Sequence, residues 1–347
     1  MKQKYFLSEI RILNVCYLSI IFFFVSCTSK NNKDVNLKNI NINFHSIAFF
    51  EEVNQIDTNQ ISEGVNKLGE KYPDFSSIYF NNLTGFGIQK NYDLFLKSMY
   101  HFLTFKDYTD LYDSVKKVFP DTKKSDAALA ELFKHIKYYY PNEKWGTVYY
   151  FISGLNRYSA VTVDTTLGIG LDMFLGKDYP YYASIGLAQY ETEHCIPENI
   201  PVLASKVIFE DKWEMNPEGK KLLDLMIYAG KQMTFMEYTL PKSSDELLIG
   251  YSKTQLGWCQ ENEKMIWSFF KKNELLYSSE LQKVIRYVMD GPSSTGMPPE
   301  SPGNIGTYIG WQIVRSYLKN NPEIKWTEIM DSPMDSQTFL TASKYKP

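Results

Sequence analysis

Histidine and cysteine are both scarce, with four of each in 347 residues. His45, His101, His135 and His194 stand apart, and no two lie one helical turn from each other. A helical zinc hydrolase needs paired imidazoles on one helix face. That pair is missing, and His45, His101 and His135 read as structural. No Gly-x-Ser-x-Gly elbow occurs, so the usual nucleophile turn of a serine hydrolase is excluded. Basic blocks are lacking as well. With a net charge of −3, nucleic acid is excluded as the main partner. The apolar run from Ile12 to Val25 is too short to span a bilayer.

Aromatic side chains, by contrast, are plentiful: 16% of the chain, with 26 Tyr and 22 Phe. They fill cores, and an excess also suits contact surfaces for protein or glycan. At the N-terminus, Lys2, Lys4 and Arg11 precede the short apolar run, which closes on Ser26 and Cys27. That order is a secretory signal. Phe24-Val25-Ser26-Cys27 resembles a bacterial lipobox, which implies cleavage before Cys27 and diacylglycerol on its thiol. Several acyl chains hold a protein stably at a membrane, where one would not. Thr28 follows, not Asp, which by the same resemblance favours the outer membrane. Removing residues 1–26 takes away three basic residues and one acidic one, moving the net charge from −3 to −5. Residues 27–38 are polar and read as a flexible tether. Cys16 leaves with the signal and Cys27 carries lipid, so Cys195 and Cys259 remain. They either pair in an oxidising compartment or stay as buried thiols; Cys259, on the apolar stripe of a helix, favours thiols.

Residues 39–347 read as one domain, helical over 39–144 and a sheet with a helical core over 145–347. Residues 39–44 alternate strictly, as a strand does. Helical spacing follows at about 59–70, 91–104, 107–118 and 125–139, the last capped by Ser125. Three aromatic and β-branched runs between 145 and 174, joined by short linkers, predict a small antiparallel sheet. Two amphipathic helices follow between Pro197 and Pro241, broken at Asn216-Pro217. A capping-box pattern at Ser252 opens a helix to about Lys272. Another runs from Ser278, and residues 291–304 form a long Gly/Pro-rich loop of the kind that is functional or mobile. A further helix starts at Ile305, where Gly306 and Gly310 let a second backbone come close; Asp335 opens the last. The fold class is therefore α+β, mostly helical.

Glu191, Glu193 and His194 are the densest group of ligand types, but three nearly consecutive residues rarely point at one metal. They remain weak metal candidates, and Asp172 joins them as a candidate for a divergent hydrolase. Cys195 beside His194 is adjacent rather than opposed, unlike a catalytic dyad. Glu263 falls on an apolar stripe, where a lone charge is costly. A buried ion pair with Arg315 or Lys231 is expected. Tyr179, Tyr181 and Tyr182 lie on an aromatic loop, either packed beneath the sheet edge or offering a contact surface.

Taken in order, several motifs resemble one family. They are the lipobox, Gly170 to Tyr182, Ile227 to Lys231, Ile249 to Tyr251, Trp258-Cys259, Asn262-Glu263, Ser301 to Gly306, Ile309 to Arg315 and Ser343 to Pro347. They resemble the gliding-motility lipoprotein B (GldB) family of Bacteroidetes. The resemblance implies an outer-membrane lipoprotein facing the periplasm, linked to gliding machinery and more loosely to type IX secretion, with no established catalysis. More distantly, the element order is similar to helical zincin-type peptidases, which implies a degenerate zincin-like fold. Here the stretch Ala204 to Asp211 has no His, and Ala229 stands where an acidic residue is expected. Three readings follow in order: a non-catalytic envelope scaffold, a glycan- or peptidoglycan-binding module, and a hydrolase. The first requires no cofactor, with the membrane (through Cys27) and envelope proteins as partners.

Overall fold

Four strands form a sheet that divides the molecule into two unequal cores. The computed structural model describes residues 35–88 and 91–347. The expected signal peptide, Cys27 and most of the 27–38 tether lie outside the described residues. Strands β1 (His45–Ile47), β2 (Thr147–Phe151), β3 (Ala160–Val163) and β4 (Thr166–Gly170) lie in the order β1-β2-β4-β3. β1 and β4 both run parallel to β2, and only β3 and β4 are antiparallel. The sheet is therefore mixed, not the antiparallel one expected. A short linker between β2 and β3 looks like a hairpin in sequence. In fact residues 152–159 carry the chain past the position that β4 later fills. Gly154, Leu155 and Arg157 all adopt positive φ in this loop, which makes the tight detour feasible. The alternating residues 39–44 do not pair; the ladder begins one residue later, with His45 N–H donating to the Gly146 carbonyl at 3.0 Å.

Side chains alternate across a strand, so neighbouring residues serve different cores. Val148, Tyr150, Leu167 and Ile169 point into the larger core with the C-terminal helices. Phe151 and Val163 face a smaller aromatic core built on Phe49, Phe75, Tyr79, Phe80 and Phe95. There the Phe75 ring stacks on Tyr149 at 4.1 Å. The helices Ile61–Lys71, Tyr92–Thr104, Lys106–Val118 and Lys123–Tyr139 match the spacing read from sequence. Two short ones, Phe49–Asn54 and Pro73–Ile78, were not legible; six residues are too few for a period. Ser125 is buried inside the Lys123–Tyr139 helix instead of capping it.

In the second half the expected helix 252–272 is two, Lys253–Glu261 and Glu263–Lys272. Asn262 turns its side-chain N–H back to the Trp258 carbonyl at 2.9 Å, and such local bonds compete with the helix ladder. The two helices expected between 197 and 241 are present as Ile200–Lys212 and Leu222–Thr239. The second is not amphipathic as read: Leu223, Leu225, Ile227 and Phe235 are buried as well as the predicted stripe. A helix buried all round must be covered on more than one face. Its second cover is the helix Ile305–Asn320.

That crossing has no room for side chains. A Cβ on Gly310 would lie 1.8 Å from the Met226 carbonyl oxygen, and one on Gly230 would lie 2.3 Å from the Gly310 oxygen. Both neighbours are backbone, so neither can swing aside. Residues Val35–Pro347 close around this pair as one compact unit. Among the described residues no helix is long and apolar enough to cross a membrane.

We expect Gly310→Ala to cost about 3 kcal/mol or more in urea denaturation, because two helices must separate to admit one methyl. Gly257, in the Lys253–Glu261 helix, has no atom within 4 Å of an added Cβ. Gly257→Ala should stabilise by about 0.5–1 kcal/mol. Equal effects of the two substitutions would refute the close-packed crossing.

Candidate functional site

On its open side the Leu222–Thr239 helix meets the Ile200–Lys212 helix across a cavity of about 620 Å³. That volume is in the range of ligand sites. Val202, Leu203, Lys206 and Glu210 come from the first helix, and Leu225, Tyr228, Ala229, Gln232, Met233 and Met236 from the second. Three- and four-residue spacing puts each set on one face. Met173, Met215 and Met289 complete a lining rich in methionine, a flexible residue suited to adaptable apolar contact. Next to it lies a more polar cavity of about 930 Å³, walled by the turns at 244–255 and by the ends of the 291–304 loop. That loop is pinned rather than loose. Tyr251 donates to the Gly303 carbonyl at 2.7 Å, Ser294 to Pro302 at 2.8 Å and Tyr287 to Thr295 at 3.1 Å.

Carboxylates at the cavities are already engaged. Glu210 accepts from the Gln232 side chain at 3.0 Å. Glu191 pairs with Arg157 and also accepts from the Ala188 backbone N–H at 2.8 Å. Glu193 pairs with Lys177 at 3.4 Å. Glu191 and Glu193 thus turn to different cations, and among the described residues no group of three His, Cys, Asp or Glu side chains is placed to hold a metal. Ala229, the position expected to be acidic in a peptidase, sits on the cavity wall. His194 packs its ring against Gly250, whose φ of 76° and lack of Cβ make the space. Cys195 and Cys259 are free and buried. Burial pushes their thiols up to about 11 and about 12, so both stay protonated and unreactive.

Asp172 lies beneath the β2–β3 detour and is fully buried. One oxygen accepts from the Ser153 N–H and hydroxyl, both at 3.0 Å, and from the Leu155 N–H at 2.7 Å. The other has no partner among the described residues. Burial raises its carboxyl to about 6, against the lowering effect of the bonds from Leu155 and Ser153. Its role here is to hold the loop that presents Arg157 to the cavity.

The expected ion pair is arranged differently. Glu263 accepts from Tyr308 at 3.1 Å and from Tyr345 at 2.7 Å, with neither Arg315 nor Lys231 as partner. Burial, and then the Glu263 carboxylate, push both phenols up, which keeps them donors. Arg315 instead bridges Glu237 at 2.7 Å and Asp245 at 2.8 Å, and lies over the Trp311 ring at 3.7 Å. Trp311 donates to the second Glu237 oxygen at 3.0 Å. Burial works against the Arg315 charge, but Glu237 and Asp245 outweigh it and raise its pKa. Lys231 donates to the Met330 carbonyl at 3.5 Å, and burial lowers its pKa against the raising effect of Asp331. Glu237 was missed because it follows Met236 on a helix most of whose residues are buried, so no polar face marks it out. Of the aromatic loop, Tyr182 is buried, donates to the Asp172 carbonyl and accepts from the Leu175 N–H; Tyr179 is half-buried and Tyr181 is exposed.

A mixed sheet, a helix pair crossing at glycine and a cleft whose acids are hydrogen-bonded or ion-paired define a mostly helical α+β protein with a ligand-sized cavity. The family model described as gliding motility protein GldB matches residues 30–347, and the chain belongs to that family of gliding-motility-related lipoproteins. Neither the curated proteins nor the solved structures give a match.

Two consequences can be measured. Between the ordinary carboxylate range and pH 6 the native state keeps a proton on Asp172 that the unfolded chain has lost. Its contribution therefore falls as pH rises through that window. Relative to Asp172→Asn, the unsubstituted protein should lose roughly 2–3 kcal/mol of stability between pH 4 and pH 7. A difference that does not vary with pH would exclude the raised carboxyl. Separately, Arg315→Ala leaves Glu237, whose side chain is 6% exposed, without its cation. A loss of about 3–5 kcal/mol is expected in urea melts; a change under 1 kcal/mol would refute the pairing.

Proposed function

We propose that this protein is a lipid-anchored component of the cell envelope that works through contacts instead of catalysis. Its anchor is the lipidated thiol of Cys27, its membrane the outer one, and its body faces the periplasm. Its partners are envelope proteins of gliding or type IX secretion machinery, for which it serves as scaffold or accessory. The observation that carries this reading is the engagement of the cleft's acids. A general acid or base must be able to exchange its proton with a substrate. Glu191, Glu193 and Glu210 are each tied to a protein cation or amide. Exposed apolar and aromatic side chains give the surface something to dock with. Leu94 is 59% exposed, Tyr100 54%, Tyr181 48% and Phe105 46%.

The test is photo-crosslinking in living cells from positions 105 and 181, with partners identified by mass spectrometry. The same few envelope proteins should be recovered from both sites, and Cys27→Ala should abolish their capture. A chain that stays uncrosslinked and monomeric in cells would overturn the proposal. So would peptide hydrolysis by the purified protein that Glu210→Gln abolishes.

A further inference from the structure

Five charged side chains line the cavity of about 620 Å³: Arg157, Glu191, Lys206, Glu210 and Asp290. Four are engaged. Arg157 pairs with Glu191, Glu210 accepts from Gln232, and Asp290 accepts from the Asn304 amide at 3.1 Å. Lys206 is the exception. It is half-buried on the Ile200–Lys212 helix and makes no hydrogen bond or ion pair with any described residue. Glu210 stands one turn further along that helix. Lys before Glu is the weaker order for such a pair, and the carboxylate has turned to Gln232 instead. The same helix pair lines the cavity with Val202, Leu203, Met233 and Met236, so the unmatched ammonium shares its cleft with apolar side chains. Asn199 and Asn304 stand in the wall shared with the outer cavity. Their amide oxygens have no partner among the described residues, but they are sealed from both chambers and take no part in binding.

We propose that this cavity binds an amphiphilic anion with a single acyl chain, its carboxylate or phosphate on Lys206 and its chain against the methionines. Three features select this class. Charge complementarity supplies the head: with the other four charges engaged, the unmatched one in the lining is positive, and a charge-assisted bond to an anion satisfies it. The walls supply the tail. Both long walls are helices, whose backbone N–H and C=O groups are spent within their own ladders, so they offer nothing to a peptide backbone. Hydrocarbon needs no such partner, and methionines at 173, 233 and 236 adjust to a flexible chain. The lining is also elongated. From Val202 to Glu210 it follows the helix for about 12 Å, a run that suits a chain better than a compact ligand. The inference goes beyond the scaffold reading and stands apart from it, since positions 105 and 181 do not line the cavity.

The experiment uses the full chain in micelles of a steroid-based detergent, which has no acyl chain to compete. The probe is palmitic acid with a diazirine on its chain and an alkyne at its end. After illumination, labelled residues are mapped by mass spectrometry. Labelling should be saturable and fall on the Ile200–Lys212 and Leu222–Thr239 helices. Unlabelled palmitate should compete about tenfold or more better than hexadecanol, which keeps the chain and lacks the anion. Lys206→Met should weaken labelling by about tenfold or more while leaving the Tm within a few degrees, and Lys206→Arg should restore most of it. Competition by palmitate or by lysophosphatidic acid supports the proposal, and the stronger of the two identifies the head as carboxylate or phosphate. Labelling scattered over the surface, equal competition by hexadecanol, or an undiminished signal from Lys206→Met overturns it. So does displacement of the probe by a leucine-rich peptide at concentrations where palmitate fails, which would assign the cavity to a peptide instead.

Discussion

The backbone-to-backbone contact of Gly230 and Gly310 governs much of what surrounds it. Two helices this close leave no space for side chains at the crossing, so the bulky residues of each are displaced to either side. Two turns beyond Gly230, on the same face, they bring Glu237, Trp311 and Arg315 within hydrogen-bonding distance. On a neighbouring face of the Leu222–Thr239 helix, Tyr228, Ala229, Gln232 and Met233 look across the cavity to the Ile200–Lys212 helix. The ionic cluster thus continues the crossing face of the Leu222–Thr239 helix, and the cleft lies on a neighbouring face.

Buried charge is handled in three ways. Glu237 is neutralised by an arginine that also stacks on tryptophan, which stabilises the charge. Glu263 takes two phenolic donors instead, at the start of its helix, and ties the C-terminal Tyr345 to the core. Asp172 has no cation and pays through a raised carboxyl, but its three bonds hold a loop whose backbone could not otherwise adopt positive φ so cheaply. These solutions contrast with the shared wall of the cleft, where Asn199 and Asn304 are buried and half-satisfied.

How much of this was legible beforehand differs by element. Long periodic helices such as Lys123–Tyr139 and Ile305–Asn320 announced themselves, as did the role of Gly310. Capping chemistry located Ser252, but not the break at Asn262, because a side chain bonding to its own helix leaves no change in hydrophobic period. Strand partners were misassigned, since β2, β3 and β4 are consecutive runs whose pairing depends on where a loop travels. Among the site residues, Glu191, Glu193 and His194 stood out by their density, yet density in sequence is not convergence in space. Lys206 and Glu210 are an unremarkable helical pair until a second helix faces them.

Composition and pattern alone determined the class of chain: mostly helical α+β, and lacking the His pair of a helical zinc site. Those properties depend on residue type and short-range spacing, which the chain carries regardless of its folding. Tertiary structure decided the mixed order of the sheet, the exchange of Arg315 from Glu263 to Glu237, and the cleft itself. Each depends on residues tens of positions apart being brought together by burial, a non-directional force that local sequence does not encode. The orphaned amide oxygens belong to that second group, for whether a donor is missing is known only once every neighbour is in place.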